Sequence, residues 1–149
     1  MKRIHLATAL VRRGGTILLV ASHYPNQPEA LWHLPGGRQR PGELLNETAL
    51  RELCEETGLR GSLRELCYVS ESYDGETHFT NVTFAVDASG DPLPPAAGDH
   101  VMAAEWVPLE ALSERIAVKV VREPLLGYLT GGTRYAGYAE ADISIVFPD

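Results

Sequence analysis

Residues 37–59 read Gly37-Arg38-Gln39-Arg40-Pro41-Gly42-Glu43-Leu44-Leu45-Asn46-Glu47-Thr48-Ala49-Leu50-Arg51-Glu52-Leu53-Cys54-Glu55-Glu56-Thr57-Gly58-Leu59. From Glu43 to Thr57 neither Gly nor Pro interrupts the run, and Gly58 stands where a left-handed residue closes a helix. The spacing predicts one amphipathic helix of about four turns over 43–57. On a wheel of about 100° per residue, Leu45, Ala49, Leu50, Leu53 and Cys54 make one broad apolar face that should pack on a sheet. Counted from Glu43, the acids Glu52, Glu55 and Glu56 fall on an adjoining stripe at about 180°, 120° and 220°.

In water that stripe is unfavourable. Like charges one turn apart cost about 0.2–0.5 kcal/mol, and anions in a last helical turn oppose the macrodipole by about 0.3–1 kcal/mol each. Arg51 can pair with Glu47 or Glu55, but one guanidinium does not neutralise three acids. A hard divalent cation does, and Mg²⁺ prefers carboxylate oxygens while keeping waters and phosphate oxygens as further ligands. A solvated acidic face on a surface helix has the same spacing, so spacing alone leaves both readings open.

Residue order separates them. Gly37, five residues, Glu43, seven residues and then Arg51-Glu52-Leu53-Cys54-Glu55-Glu56-Thr57-Gly58-Leu59 resemble the Nudix box without a mismatch. Leu31-Trp32-His33-Leu34-Pro35-Gly36-Gly37 looks like the strand and glycine turn that precede many such boxes. Glu105-Trp106-Val107-Pro108-Leu109-Glu110-Ala111-Leu112 is similar to the late strand-to-helix passage of MutT-like members. The resemblance in element order runs from residue 4 to 115 and leaves the tail uncovered.

The resemblance implies an α/β fold: a Nudix-type α/β/α sandwich with a mixed β-sheet and the box as a loop-helix-loop. It implies a hydrolase that cuts a nucleoside diphosphate linked to another moiety, using Mg²⁺ or Mn²⁺. Glu52, Glu55 and Glu56 become metal ligands, with a backbone carbonyl from Gly36 or Gly37 added. Arg51 is expected to orient Glu55 or Glu56, and Glu43 to be a structural or outer-shell acid near the helix start. Family members take the general base from the box helix or from a later loop. Glu52 is therefore the preferred base and Glu105 the alternative, with Asp99 and Glu76 behind them. Such chemistry is mostly positioning plus cationic stabilisation of charge growing on phosphate oxygens, with metal also helping to deprotonate water.

Substrate contacts are less legible. Arg38 and Arg40, inside the box loop, are the better pair among four arginines (with Arg12 and Arg13) for phosphate. Tyr24, Tyr73, His78 and Phe79 sit near loops that can border a cleft, and Tyr73 and Phe79 are taken as substrate-binding. Trp32 in a short strand reads as core more readily than as a base-stacking ring. His33 reads as structural, and Cys54 as packing. Where ADP-ribose-cleaving members typically carry a proline, this chain has Tyr73-Asp74-Gly75-Glu76. A nucleoside triphosphate is the favoured substrate; ADP-ribose, a nucleotide sugar and a dinucleoside polyphosphate are alternatives, as is a non-catalytic ligand sensor.

The rest of the chain bounds these readings. Its 149 residues fit one domain, 1–149. Twenty Asp and Glu against 13 Lys and Arg give a net charge of -7, which disfavours the basic surface of a nucleic-acid binder, including a reader of RNA 5′ ends. Hydrophobic residues at 44% and charged residues at 22% are ordinary for a folded protein. No apolar run approaches the ~20 residues of a membrane span, and the cytoplasm is the expected compartment. Cys54 and Cys67 form no CxxC or Cys/His cluster. Alternation predicts a hairpin over residues 4–20 turning at Gly14-Gly15, and a second hairpin from Ser62–Tyr73 and Thr77–Asp87. It also predicts a strand at Val101–Val107, helix from Pro108 toward Leu129 begun or kinked at Pro124, and a last strand at Ile143–Phe147. A homodimer through exposed strands or the Tyr-rich tail is a further expectation.

Overall fold

The computed structural model describes residues 1–94 and 100–140. The box helix, α1, spans Leu45–Thr57 and closes on Gly58 at φ 77°, whose N–H donates to the Cys54 carbonyl at 2.8 Å. Its start is held by Glu47, whose Oε1 accepts from the Leu44 N–H at 2.8 Å.

Around it lie β1 (Lys2–Leu10), β2 (Arg12–Arg13), β3 (Thr16–Ser22), β4 (Leu31–His33) and β5 (Gly36–Arg38) before the helix. After it come β6 (Ser62–Tyr73), β7 (Thr77–Asp87) and β8 (Val101–Pro108), then a 3₁₀ turn (Leu109–Ala111), α2 (Leu112–Arg115), α3 (Lys119–Gly131) and β9 (Tyr135–Tyr138). One sheet has the order β5-β1-β7-β6-β9, with β1 parallel to β7 and β6 parallel to β9, so it is mixed. The second is built on β3, with β2 and β4 along one edge and β8 along the other.

Helices cover both sides, which makes the architecture an α/β/α sandwich. On one side Ala49 and Leu53 of α1 pack on Ala7, Ala9, Val11, Leu18 and Val86. On the other, Leu112, Ile116 and Leu125 pack on Leu10, Ile17, Leu19, Val107 and Tyr68. Strand alternation sorts these sets: Leu18 faces α1, while Ile17 and Leu19 face α2 and α3.

Several expectations need correction. The first hairpin shrinks to the two-residue β2 against the start of β3, because the chain turns at buried Val11 and β1 enters the other sheet between β5 and β7. The strands fall into two sheets instead of one. Cys54 is exposed. The buried face of α1 is centred on Ala49, Leu53 and Glu56, and Cys54 lies about 140° around the helix from Ala49. Pro124 does not begin a segment: it lies inside α3, in the second turn. The second hairpin and the strand at 101–107 stand where expected. Ile143–Phe147 and Asp99 lie outside the described residues, and β9 is an edge strand that the sequence reading left unassigned.

Candidate active site

The three acids of α1 sit in three environments. Glu56, 5% exposed, is buried against β5: its Oε1 accepts from the Gly36 N–H at 2.7 Å, and His100 Nε2 stands 3.9 Å from Oε2. Glu52, with its side chain 14% exposed, lies against Gly37, where a Cβ would come within 2.7 Å of its carboxylate carbon. The glycine thus opens the cradle that the carboxylate fills. Glu55 is the exposed member at 47%, turned toward Arg51 at 3.2 Å and Arg40 at 3.5 Å. Burial lifts the Glu52 carboxyl above the usual carboxylate range, against the lowering pull of Arg51.

Arg51 organises the other acids. Its Nε and Nη2 fork onto Glu43 at 2.7 and 3.0 Å, and its Nη1 donates to Glu52 at 2.7 Å and to Glu55. Nη2 also donates to the Arg38 carbonyl at 3.0 Å, tying the helix to β5. Glu43, the main partner, was expected as a structural or outer-shell acid, and neither Glu47 nor Glu56 pairs with the guanidinium. The box loop explains this: it folds back so that Thr48 Oγ1 and the Arg40 N–H both donate to Glu43 Oε1, at 2.7 and 3.2 Å. Bonded by Arg51 above all, the Glu43 carboxyl titrates at about 2.

Gly36 and Gly37 also form one wall of a cleft that encloses about 130 Å³. Tyr24, Trp32, Tyr68 and Phe79 give it aromatic walls, and Thr8, Ser70 and Asn81 are polar groups within it. The Arg115 guanidinium lies 4.8 Å from the Trp32 ring centroid and donates to Glu105 Oε2 at 2.8 Å. His33, beside Trp32, is structural, as its residue type suggested. Its Nδ1 donates to the Leu34 carbonyl at 2.6 Å, and its Nε2 stands 2.8 Å from the Ser22 hydroxyl oxygen. Burial lowers its pKa to about 4.

The structure therefore brings Glu56 to Gly36 and Glu52 to Gly37, with Arg51 and Glu55 at the rim, and places Phe79 in the cleft that those glycines wall. It does not bring Glu105 there: Glu105 pairs with Leu19 on β3, on the sheet face turned away from α1, and is bonded to Arg115. Arg40 lies at the solvent edge beside Glu55, and Arg38 enters through its carbonyl. Tyr73 does not line the cleft, because alternation along β6 turns Ser70 and Ser72 inward instead; its hydroxyl donates to the Gly75 carbonyl at 3.0 Å. Trp32 packs on the core and lines the cleft as well. Thr8 and Asn81 escaped the sequence reading, although Phe79-x-Asn81-x-Thr83 carries the alternation that puts all three on one face. Among the described residues no three Asp, Glu, His or Cys side chains converge as a ready metal-ligating group, and no helix is long and apolar enough to cross a membrane.

The sequence model described as NUDIX domain matches residues 1–126. An ADP-ribose pyrophosphatase of Methanocaldococcus jannaschii is 33% identical over 115 residues, covering 73% of this chain and 66% of that protein. A CTP pyrophosphohydrolase of Escherichia coli is 34% identical over 65 residues, 44% of this chain and 48% of that one. The chain thus spans about half to two thirds of the length of these relatives. A crystal structure of a mutator MutT protein from Bacillus halodurans superposes with a TM-score of 0.75 at 20% identity, covering 97% of this chain and 95% of the other, a likeness of fold.

Proposed function

Since the chain belongs to the NUDIX domain family, we propose that it is a pyrophosphohydrolase acting on a nucleoside diphosphate linked to another moiety, with a nucleoside triphosphate, deoxy or oxidised forms included, as the favoured substrate. One observation carries the reading: the buried Glu56 and the largely covered Glu52 lie against the glycine strand that also walls an aromatic cleft. A base in the cleft would leave its phosphates beside those glycines. An ADP-ribose substrate is the second reading, favoured by the name of the M. jannaschii relative.

The donors fit a hard divalent cation in kind: carboxylate oxygens, two of them on side chains largely out of water, one in a cradle that any side chain at Gly37 would close. Glu52, Glu55 and Glu56, with the Gly36 carbonyl, would hold Mg²⁺ or Mn²⁺. When bound, the cation supplies charge neutralisation at the pyrophosphate and lowers the pKa of water. The protein's own groups do the rest. Glu52 accepts the proton of the attacking water at a carboxylate oxygen, a task suited to a carboxyl that burial has made more basic. The water oxygen bonds phosphorus as the bridging P–O bond breaks, and the leaving phosphate carries that oxygen away. Arg51 keeps Glu52 and Glu55 oriented by direct hydrogen bonds. The aromatic walls exclude water from the base and fix its distance from the carboxylates.

The test is a product-release screen over NTPs, dNTPs, oxidised dNTPs, ADP-ribose, nucleotide sugars and dinucleoside polyphosphates with Mg²⁺ and Mn²⁺. Turnover of a nucleotide that stops on chelation, while the thermal melt persists, is the expected result. No turnover of any of them would leave a ligand-binding role in its place.

A further inference from the structure

Trp32 is the largest ring in the cleft, and strand pairing alone does not hold it in place. It is the middle residue of β4, an edge strand that pairs with β3 and has no strand on its far side among the described residues. Its cross-strand neighbour is Ala21, and the next residue across is Ala103 on β8. Two alanines do not fix the orientation of an indole. Alternation puts Glu105 on the same face as Ala103, opposite Leu19, which packs against α2. Arg115, at the end of α2, reaches both sides of this arrangement: its guanidinium carbon lies 4.8 Å from the Trp32 ring centroid and its Nη1 donates to Glu105 Oε2 at 2.8 Å.

Trp32 is only partly buried, and it lines the cleft together with Leu6, Phe79, Val118 and Val121. Arg115 does not line it, so the part of the indole that the cleft reaches is not the part that the guanidinium covers. We propose that Trp32 is the platform on which the nucleobase stacks, and that Arg115, held by Glu105, is the positioning residue that fixes the indole against the cleft. This rests on the pyrophosphohydrolase reading and deepens it: the cleft recognises the aromatic plane of the nucleotide, which an inorganic polyphosphate lacks. Stacking needs no hydrogen-bonding pattern, because every base has a π-face, and an indole offers a broad flat surface for it. A guanidinium is attracted to the face of an indole by the ring quadrupole. The bond to Glu105 sets the direction of the guanidinium in turn, so the contact restrains the indole without occupying the cleft.

The experiment follows tryptophan fluorescence and steady-state kinetics with ATP, GTP, CTP and UTP, and inhibition by inorganic tripolyphosphate, all with Mg²⁺. It compares the unaltered protein with Trp32→Phe, Trp32→Leu, Arg115→Lys and Arg115→Met, each checked by its thermal melt. At least one nucleotide should quench the emission and tripolyphosphate should not. Trp32→Phe keeps a ring but leaves only Trp106, which packs on the α1 side and does not line the cleft, so it should abolish the quenching while keeping most of the affinity. Trp32→Leu should raise the nucleotide KM by about tenfold or more with kcat within a few fold. Arg115→Met should raise it about two- to fivefold, and Arg115→Lys, which keeps the cation, by less. The Ki of tripolyphosphate should stay within about twofold throughout, since stacking acts on the base alone. No quenching by any nucleotide, quenching that survives Trp32→Phe, an unchanged KM in folded Trp32→Leu or Arg115→Met, or a parallel rise in the tripolyphosphate Ki would each overturn the proposal. If Trp32→Leu does not fold, the quenching and the Arg115 variants still decide. Quenching through Trp32 with no turnover of any nucleotide would keep the platform and remove the pyrophosphohydrolase reading.

Discussion

At the scale of single residues, Glu52 and Glu105 were the two candidates for the base, and their surroundings separate them. Glu52 is largely buried against Gly37, while Glu105 is half exposed and held by Arg115. Glu52→Gln is therefore expected to lower kcat by about 10²-fold or more with little change in melting, as loss of a positioned acid–base group does. Glu105→Gln should leave kcat within a few fold. Near-normal turnover of Glu52→Gln would sink the role assigned to it. The two glycines separate in the same way. Gly37→Ala puts a methyl against the movable end of Glu52, so activity should fall while stability changes by no more than about 1 kcal/mol. Gly36→Ala meets the Ala7 carbonyl at 2.5 Å and the Thr8 Cα at 2.8 Å. Those are backbone atoms with no room to move, and urea titration should show a larger loss of stability than for Gly37→Ala.

Helix α1 shows what a wheel can and cannot tell. The sequence drew the buried face from hydropathy, which put Cys54 inside and left Glu56 on the flank; in the structure Glu56 and Thr57 are buried and Cys54 is exposed. Here the strand beneath offers the Gly36 N–H to Glu56 and, at Gly37, the space of a missing side chain to Glu52, in place of apolar side chains. A thiol reagent applied to the folded protein should accordingly modify Cys54 rapidly and Cys67, which is fully buried with its thiol pKa raised by burial, only on unfolding. Equal rates measured by mass spectrometry would contradict the packing of α1 described above.

Over the whole molecule, His33 couples the fold to pH. Folded, it titrates at about 4; unfolded, near the ordinary 6.5. Above pH 6.5 the ring is neutral in both states and contributes nothing. Between 6.5 and 4 the unfolded chain takes up a proton that the folded one refuses, so stability falls as pH drops through this window, by up to about 3 kcal/mol. The raised Glu52 carboxyl acts with the opposite sign, since there the folded state binds the proton more readily. Comparing the urea stability of His33→Gln with the unaltered protein at pH 7 and pH 5 isolates the histidine, and the variant should lose less stability on acidification. Glu43, bound by Arg51, adds its own loss only lower, as pH falls from 4.5 toward 2.

The sequence by itself determined the local and the chemical: the span of α1 and its glycine stop, the β6–β7 hairpin, the acids Glu52, Glu55 and Glu56 on adjacent turns, and the family to which their spacing belongs. These are legible because helix periodicity, turn chemistry and motif spacing are encoded over a few consecutive residues. Only the tertiary structure decided that β1 runs parallel to β7, that Thr8, Asn81 and Phe79 share one cleft, that Glu43 rather than Glu47 takes Arg51, and that Glu105 faces away from the carboxylates. All but the Glu43–Arg51 pair, which is set by how the box loop folds back on the helix, depend on pairings between residues far apart in the chain, for which no short stretch carries a signal. Parallel strands have no connecting turn to announce their register, and a one-residue slip would send every side chain to the opposite face.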